Sequence, residues 1–152
     1  MTTEKDNLIK EARTKAEKYF REGDYFCSES VVTTINQMLG EELPAEIVKL
    51  ASGFPIGIGK SKCLCGAISG GVMALGMKYG RTEPGAEMPE SFPKNAALHD
   101  YIKEKYGSTC CRVLTKDFDD FDSQARAEHC IEMTGEVTAW VMEQFVTDGL
   151  ID

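Results

Sequence analysis

Hydrophobic residues recur at helical spacing along almost the whole chain, and alternation at a period of two is hard to find. The first apolar stripe predicts a helix over residues 4–22, which Gly23 ends. Ser108 and Ser123 are suited to cap the last two predicted helices. The pattern therefore predicts an all-α, single-domain helical bundle of about six to seven helices over residues 1–152. After the first, these helices are placed at 26–39, 44–52, 64–80, 92–106, around Cys111 and Leu114, and at 123–147.

The predicted central helix, residues 64–80, is unusually rich in glycine. Glycine costs about 1 kcal/mol relative to alanine inside a helix, so Gly66, Gly70 and Gly71 require a compensating contact. Such a contact is the close approach of a neighbouring backbone or of a bound group. A glycine-rich loop over residues 53–62 precedes this helix.

Composition and charge exclude several classes of protein. The chain is 42% hydrophobic and 28% charged, which is too apolar for a disordered protein. Its net charge of −8 repels phosphate backbones and anionic lipids, so we expect neither nucleic acid nor membrane as a partner. The N-terminal residues show no secretion signal, and no apolar run approaches the roughly 18 residues of a membrane span. We therefore expect a cytosolic, that is cytoplasmic, protein.

Four of the six cysteines lie near the starts of four predicted helices, on the stripes that face the core. They are Cys27, Cys65, Cys111 and Cys130. Structural disulfides are rare in the cytosol, so this number of cysteines indicates metal binding or redox chemistry. Because helix N-termini carry partial positive charge, we expect lowered thiol pKa values at these positions. Thiols gathered from distant parts of the chain predict one shared site.

The other two cysteines adjoin members of this set. Cys63 is about 200° around a helix from Cys65, and Cys110 is about 100° from Cys111. Only one sulfur of each close pair should therefore point inward. The sequence does not choose among the disulfide pairings that oxidation would allow, and it leaves open whether Cys63 and Cys110 take part in the site.

The cysteine pattern resembles that of a family of redox-active proteins named for its C…GCAxxG…C…C motif. The resemblance spans most of the chain and departs from the family pattern in the extra Cys63 and Cys110 and in Ile131, where many relatives have proline. It implies a small, mostly helical bacterial or archaeal protein with a link to electron transfer or to a prosthetic group such as an iron–sulfur cluster. The residues that carry it are those from Gly23 to Cys27, Leu50-Ala51-Ser52-Gly53-Phe54, Cys65-Gly66-Ala67-Ile68-Ser69-Gly70, Gly107-Ser108, Cys111-Arg112 and Cys130.

Three kinds of chemistry are compatible with the four inner cysteines. Four thiolates can hold an iron–sulfur cluster or, as a less favoured cofactor, a zinc ion, with Gly66 and Gly70 beside the bound group. A site without cofactor could instead carry out thiol–disulfide exchange, which needs only two neighbouring sulfurs. The third reading is a structural bundle with inert, packed cysteines. We favour a metal or cluster site, and an electron carrier with a redox partner protein over a classical enzyme.

Two segments imitate motifs that they do not satisfy. The stretch 57–61 ends in Gly-Lys-Ser, but Phe54 stands where a phosphate-binding loop needs its first glycine. We instead expect this loop to bend over the cysteine site and to offer backbone amides to sulfur. Asp117, Asp119, Asp120 and Asp122 do not follow the order of a calcium-binding EF-hand, because Phe121 takes a ligand position, so we predict a solvated acidic turn.

Three further residues have candidate roles. His99 falls on an apolar stripe, which predicts a partly buried helix residue rather than a ligand. His129 adjoins Cys130 and could tune or replace a thiolate ligand, although a surface position is favoured. Trp140 is a candidate for a dimer face if the protein forms a homo-oligomer.

Overall fold

A computed structural model describes residues 3–116, 118 and 123–151, and throughout these ranges the regular secondary structure is helical. This finding confirms the predicted all-α class, and the helix bounds agree with the prediction within two residues. The elements are α1 (Glu4–Arg21), α2 (Cys27–Met38), a 3-10 helix (Ala45–Ala51), α3 (Gly66–Tyr79), α4 (Ser91–Tyr106), α5 (Cys111–Leu114) and α6 (Gln124–Thr147).

Serine caps behave differently at α5 and α6. The Ser123 hydroxyl accepts a hydrogen bond of 3.1 Å from the backbone N–H of Arg126, which confirms the predicted cap of α6. The predicted Ser108 cap of α5 is wrong. The residue at that position is Cys110, and the Ser108 hydroxyl accepts from the Cys110 backbone N–H at 3.1 Å, just before the helix.

Helix α6 lies at the centre of the bundle, where it packs against α1, α2 and α3, while α4 covers α3. Its apolar stripe is fully buried, because neighbouring helices surround it. The largest buried side chains of the core come from four of the helices; they are Ile35, Leu75, Leu98, Ile102, Val137, Val141, Met142 and Phe145.

The glycines of α3 allow α2 to approach its backbone. A Cβ atom at Gly70 would lie 2.7 Å from the carbonyl oxygen of Ser28 and 2.9 Å from its Cα. At Gly71 a Cβ would meet side chains of Val137 and Leu98 at 2.6 and 2.8 Å. The close contact that these glycines were expected to allow is therefore found, and it is made by helices α2, α4 and α6.

One surface expectation is corrected, one stays a prediction, and one lies outside the described residues. His99 is exposed rather than partly buried, since its side chain is 49% accessible and its Nδ1 lies 3.0 Å from the carboxylate of Asp100. Trp140 is half-buried and stacks on Tyr101 with ring centroids 6.2 Å apart, and its place in a dimer face stays a prediction. The predicted acidic turn of Asp117, Asp119, Asp120 and Asp122 lies outside the described residues.

None of the helices in the described ranges combines the length and the apolar character that crossing a bilayer requires.

Glu136 connects α6 to both α1 and α4. Its carboxylate accepts hydrogen bonds from Arg13 Nη1 at 2.9 Å, from Lys105 Nζ at 2.7 Å and from the Tyr101 hydroxyl. Burial alone would raise the pKa of Glu136, but the hydrogen bonds from Lys105, Tyr101 and Arg13 outweigh it and hold the pKa below its usual value. The ionised carboxylate therefore stabilises the folded state.

We expect Gly70→Ala to destabilise the protein by about 1–3 kcal/mol, because the added methyl group meets the rigid backbone of α2. Gly76→Ala is the matched control in the same helix, since a Cβ there meets nothing within 4 Å. Alanine should raise stability at that position by up to about 1 kcal/mol. Urea unfolding of both variants checks the prediction, and a shift of both in the same direction would contradict it.

Replacing the Glu136 carboxylate should weaken the link between α1, α4 and α6 in a pH-dependent way. We expect Glu136→Gln to cost about 1–2 kcal/mol at pH 7, an amount moderated by the partial exposure of Arg13 and Lys105. Because the pKa of Glu136 is lowered on folding, its contribution is complete above the unfolded-state value and is lost as the pH falls through the folded-state value. Wild type and variant should therefore converge in stability as the pH falls below the folded-state pKa of Glu136.

Glu128→Gln is the control for this network. Glu128 also pairs α6 with an arginine of α1, Arg21, but at 3.7 Å and with both side chains about half exposed, so its loss should change stability little. Equal urea midpoints for Glu136→Gln and Glu128→Gln at pH 7 would show that the Glu136 network is not stabilising.

Candidate functional site: a cavity lined by four cysteines

The four inner cysteines line a single cavity of about 100 Å³. Cys27 is the first residue of α2, Cys65 immediately precedes α3, Cys111 is the first residue of α5, and Cys130 lies in the second turn of α6. All four are free thiols. The rest of the lining is mainly apolar and includes Phe20, Phe26, Pro55, Ile56 and Ala67. Four distant segments thus bring their sulfurs to one enclosed space, while the roles of these sulfurs as ligands remain a prediction.

Gly66 allows two of these thiols to come together. A Cβ atom at Gly66 would overlap the Cys27 sulfur and would lie 3.1 Å from the carbonyl oxygen of Phe54. The Cys27 thiol therefore rests against the backbone at the start of α3, directly beside Cys65. Gly70, which was predicted alongside Gly66 as a neighbour of the bound group, packs one turn further along against Ser28 of α2. Gly66 lines the cavity, and the position of Gly70 supports a packing role.

Backbone N–H groups hydrogen-bond the sulfurs of Cys27 and Cys65. Those of Ile56 and Ser28 reach Cys27, and two from the first turn of α3 reach Cys65. Ile56 belongs to the glycine-rich loop, so this loop does lie over the cysteine site and offers an amide to sulfur. Such bonds tune the electron density on a thiolate and the properties of any metal bound to it.

Burial dominates the acidity of all four thiols. It raises the pKa of Cys27 to about 12 and raises the pKa of Cys65 well above its usual value. Burial likewise raises the pKa values of Cys111 and Cys130. The predicted lowering by helix N-termini is wrong, because loss of hydration outweighs the backbone hydrogen bonds. Without a compensating cation, the inner cysteines are neutral thiols at pH 7.

Two residues of α6 that were not predicted as site residues also lie at the site. Arg126 lines the cavity, and its Nη1 donates to the Cys130 sulfur at 3.7 Å, which partly offsets the effect of burial on the pKa of Cys130. Met133, which the sequence marks as core filling, is buried and places its sulfur 3.4 Å from that of Cys65. Their positions, four residues before and three residues after Cys130, would have indicated the same helix face.

The two outer cysteines form a disulfide with each other, Cys63–Cys110. Cys63 is exposed and Cys110 is half-buried, whereas Cys65 and Cys111 are buried, so each close pair does direct one sulfur inward. The pairing that the sequence left open is thus given by the structure. This disulfide was not expected from the sequence, where the number of cysteines indicates metal binding or redox chemistry.

The loop over the cavity contains a left-handed turn. Residues 56–60 all have φ between +52° and +69°, and three of them, Ile56, Ile58 and Lys60, are not glycine. Side chains in this region cost about 1–2 kcal/mol each, so tertiary contacts must hold the turn.

His129 lies outside the cavity lining. It is half-buried, with its ring 6.0 Å from that of Tyr106 and 5.4 Å from that of Phe118. Its contacts are therefore aromatic, and the structure gives no support to its replacing a thiolate ligand.

The sulfur atoms that line the cavity are suited to soft metals, although they are not arranged as the ligands of a single metal ion. Four thiols and the thioether of Met133 form an all-sulfur environment, which selects zinc, Cu(I) or iron–sulfur clusters. Within the described ranges, no three His, Cys, Asp or Glu side chains form a group placed to hold one metal ion. The sulfur ligands fit a soft metal ion or an iron–sulfur cluster by their chemistry. Binding of a single ion would require the sulfurs to rearrange.

Comparisons with known proteins assign the chain to a family. A family model described as "Putative redox-active protein (C_GCAxxG_C_C)" matches residues 25–144, a range that includes all six cysteines. Comparison with curated proteins and with solved structures gave no match. Because the matched range covers most of the chain, this protein belongs to the C_GCAxxG_C_C family.

Proposed function

We propose that the four-cysteine cavity holds a sulfur-ligated metal centre, preferably an iron–sulfur cluster, and that the protein carries electrons to or from a redox partner protein. The observation that carries this proposal is the meeting of Cys27, Cys65, Cys111 and Cys130, from four separate elements, in one cavity. Packing alone gives no reason for a cysteine at each of these four places. When bound, a cluster would supply one-electron redox chemistry.

The apolar lining supports a cationic occupant over four bare thiolates. Several thiolates in an enclosed apolar cavity would repel one another and lose hydration, so they need a metal to balance their charge. The backbone N–H groups that reach the Cys27 and Cys65 sulfurs are of the kind that stabilises cluster ligands. These features support a metal centre as the occupant of the cavity.

We rank a cluster above a zinc ion because the two need different arrangements of their ligands. A tetrahedral zinc site holds four sulfurs at about 2.3 Å from one atom, which requires a tightly closed group of ligands. Within the described residues no such group is closed. A cluster contributes its own iron and sulfide atoms and therefore fills a wider space between cysteines. We accordingly place the cluster first and zinc second.

A second candidate function is thiol–disulfide exchange without a cofactor. The disulfide Cys63–Cys110 favours it, because it marks a place where this chain pairs cysteines. The raised pKa values of the inner thiols oppose it for the cavity itself, since the neutral thiol is a poor nucleophile. An inert, structural role for the inner thiols is the third alternative.

Protein purified without oxygen and without a metal-affinity tag should contain iron and acid-labile sulfide in stoichiometric amounts. Replacing Cys27, Cys65, Cys111 or Cys130 singly by serine should lower the iron content several-fold, because each removes one ligand from the same group. Metal analysis, sulfide assay and the visible absorption spectrum provide the measurement.

Cys63→Ser and Cys110→Ser are the matched controls, since their sulfurs lie outside the cavity lining, and both should lose far less iron than any inner-cysteine variant because all four ligands remain. Zinc in place of iron and sulfide would favour the tetrahedral site. Absence of all three from the wild-type protein, or equal losses in all six variants, would refute the shared metal centre.

If the cofactor-free reading were correct, mild oxidation of metal-free protein should create a new disulfide among the four inner cysteines. We expect no such disulfide, because the buried thiols remain protonated and attack slowly at neutral pH. Peptide mapping by mass spectrometry after blocking free thiols distinguishes the outcomes. A new pair that forms reversibly would move the assignment from a metal centre to a dithiol.

A further inference from the structure

The disulfide Cys63–Cys110 joins the two segments that deliver inner cysteines to the cavity. Cys63 lies two residues before Cys65, and Cys110 immediately precedes Cys111. Hydrogen bonds accompany the disulfide: the Cys65 backbone N–H donates to the carbonyl of Thr109 at 2.8 Å. The two segments therefore reach the cavity as one cross-linked unit.

This cross-linked unit also holds the left-handed turn at residues 56–60. The turn is folded so tightly that a Cβ at Gly57 would overlap the backbone N of Cys63. The backbone N–H groups of Lys62 and Cys63 donate back to the carbonyls of Ile56 and Gly57 at 2.9 and 3.4 Å. Because the left-handed conformation is unfavourable for Ile56, it persists only while its surroundings hold it.

The same turn forms part of the wall of the cavity. Ile56 lines the cavity and donates its N–H to the Cys27 sulfur, and Pro55 beside it lines the cavity as well. A continuous path of backbone therefore runs from Cys63, an exposed residue, through the turn to the half-buried Cys27. The turn beside Cys63 is thus also a part of the cavity wall next to Cys27.

We propose that Cys63–Cys110 is a second redox site, an exposed disulfide that exchanges with a dithiol reductant and whose reduction opens the loop over the inner cavity. Exposure of Cys63 gives the reductant access to one sulfur, which a deeply buried disulfide would not offer. This site lies outside the metal centre proposed above, and the inference holds whether or not the cavity contains a metal.

The exchange is balanced by the dithiol. One thiolate of the reductant attacks the Cys63 sulfur, the bond between Cys63 and Cys110 breaks, and the Cys110 thiolate leaves and takes up a proton. The second thiol of the reductant then loses its proton and displaces Cys63 from the mixed disulfide. Two electrons and two protons pass to the protein, and the reductant ends as its own disulfide. The two segments are then joined by non-covalent bonds, and the turn can relax away from Cys27.

The test compares the labelling rate of Cys27 in two forms of the metal-free protein. Dithiothreitol serves as the dithiol probe and is removed before N-ethylmaleimide is added at pH 7. Peptide mapping then follows Cys27, whose peptide is separate from those of the disulfide cysteines. We expect Cys27 to react about ten-fold faster or more in the reduced form, because loop opening exposes it. Equal rates within about two-fold would overturn the proposal, as would a disulfide that dithiothreitol does not reduce in the native protein.

The double variant Cys63→Ser/Cys110→Ser provides the second form of the test. It cannot form the disulfide, so Cys27 should react as fast as in reduced wild type, both with and without dithiothreitol. Circular dichroism checks that the helices are retained, and if the variant does not fold, reduced wild type still decides the result. Metal content measured on the same samples keeps this outcome distinct from that of the metal centre. If the purified protein contains no metal but Cys27 still reacts faster after the disulfide is reduced, the result supports the proposed disulfide site and not the metal centre.

Discussion

The close approach of α2 to α3 is the constraint on which the site depends. It requires glycine at two positions one turn apart, because Gly70 meets the backbone of Ser28 and Gly66 meets the sulfur of Cys27. The first contact fixes the distance between the helices, and the second leaves space for a thiol beside Cys65. The cysteine cavity is thus a consequence of helix packing. The loss of helix propensity at these glycines is offset by buried contact between the two helices.

Most of the fold could be predicted from periodicity, and the reasons for the failures are local. The four inner cysteines fall on apolar stripes, so their shared direction followed from helix geometry. The cap at Ser108 failed because the chain starts α5 two residues later, after Cys110. The exposure of His99 was not predicted because α4 packs mainly through Leu98 and Ile102. These two residues point in a different direction from the helix axis than His99 does.

Other features of the site depend on tertiary structure that periodicity does not report. The position of the cysteines at helix starts predicted lowered thiol pKa values. Burial instead raises them, and the extent of burial depends on how all the elements around the cavity pack together. Likewise, no local pattern predicts left-handed backbone at Ile56 and Ile58, since isoleucine disfavours it. The turn exists because the backbone from Lys62 to Cys63 folds back onto it.

The six cysteines lie in two environments, four in the cavity and two in a disulfide closer to solvent, although members of the two sets are only one or two residues apart. Cys65 and Cys111 are buried in the cavity, where burial keeps their thiols neutral and slow to react. Cys63 and Cys110, one or two residues away, are closer to solvent and paired. A thiol that binds a metal must be protected from oxidants, whereas a disulfide that exchanges electrons must be reachable. Because the two kinds of sulfur are adjacent, the proposed reduction of the outer disulfide would change access to the inner thiols without taking place in the cavity.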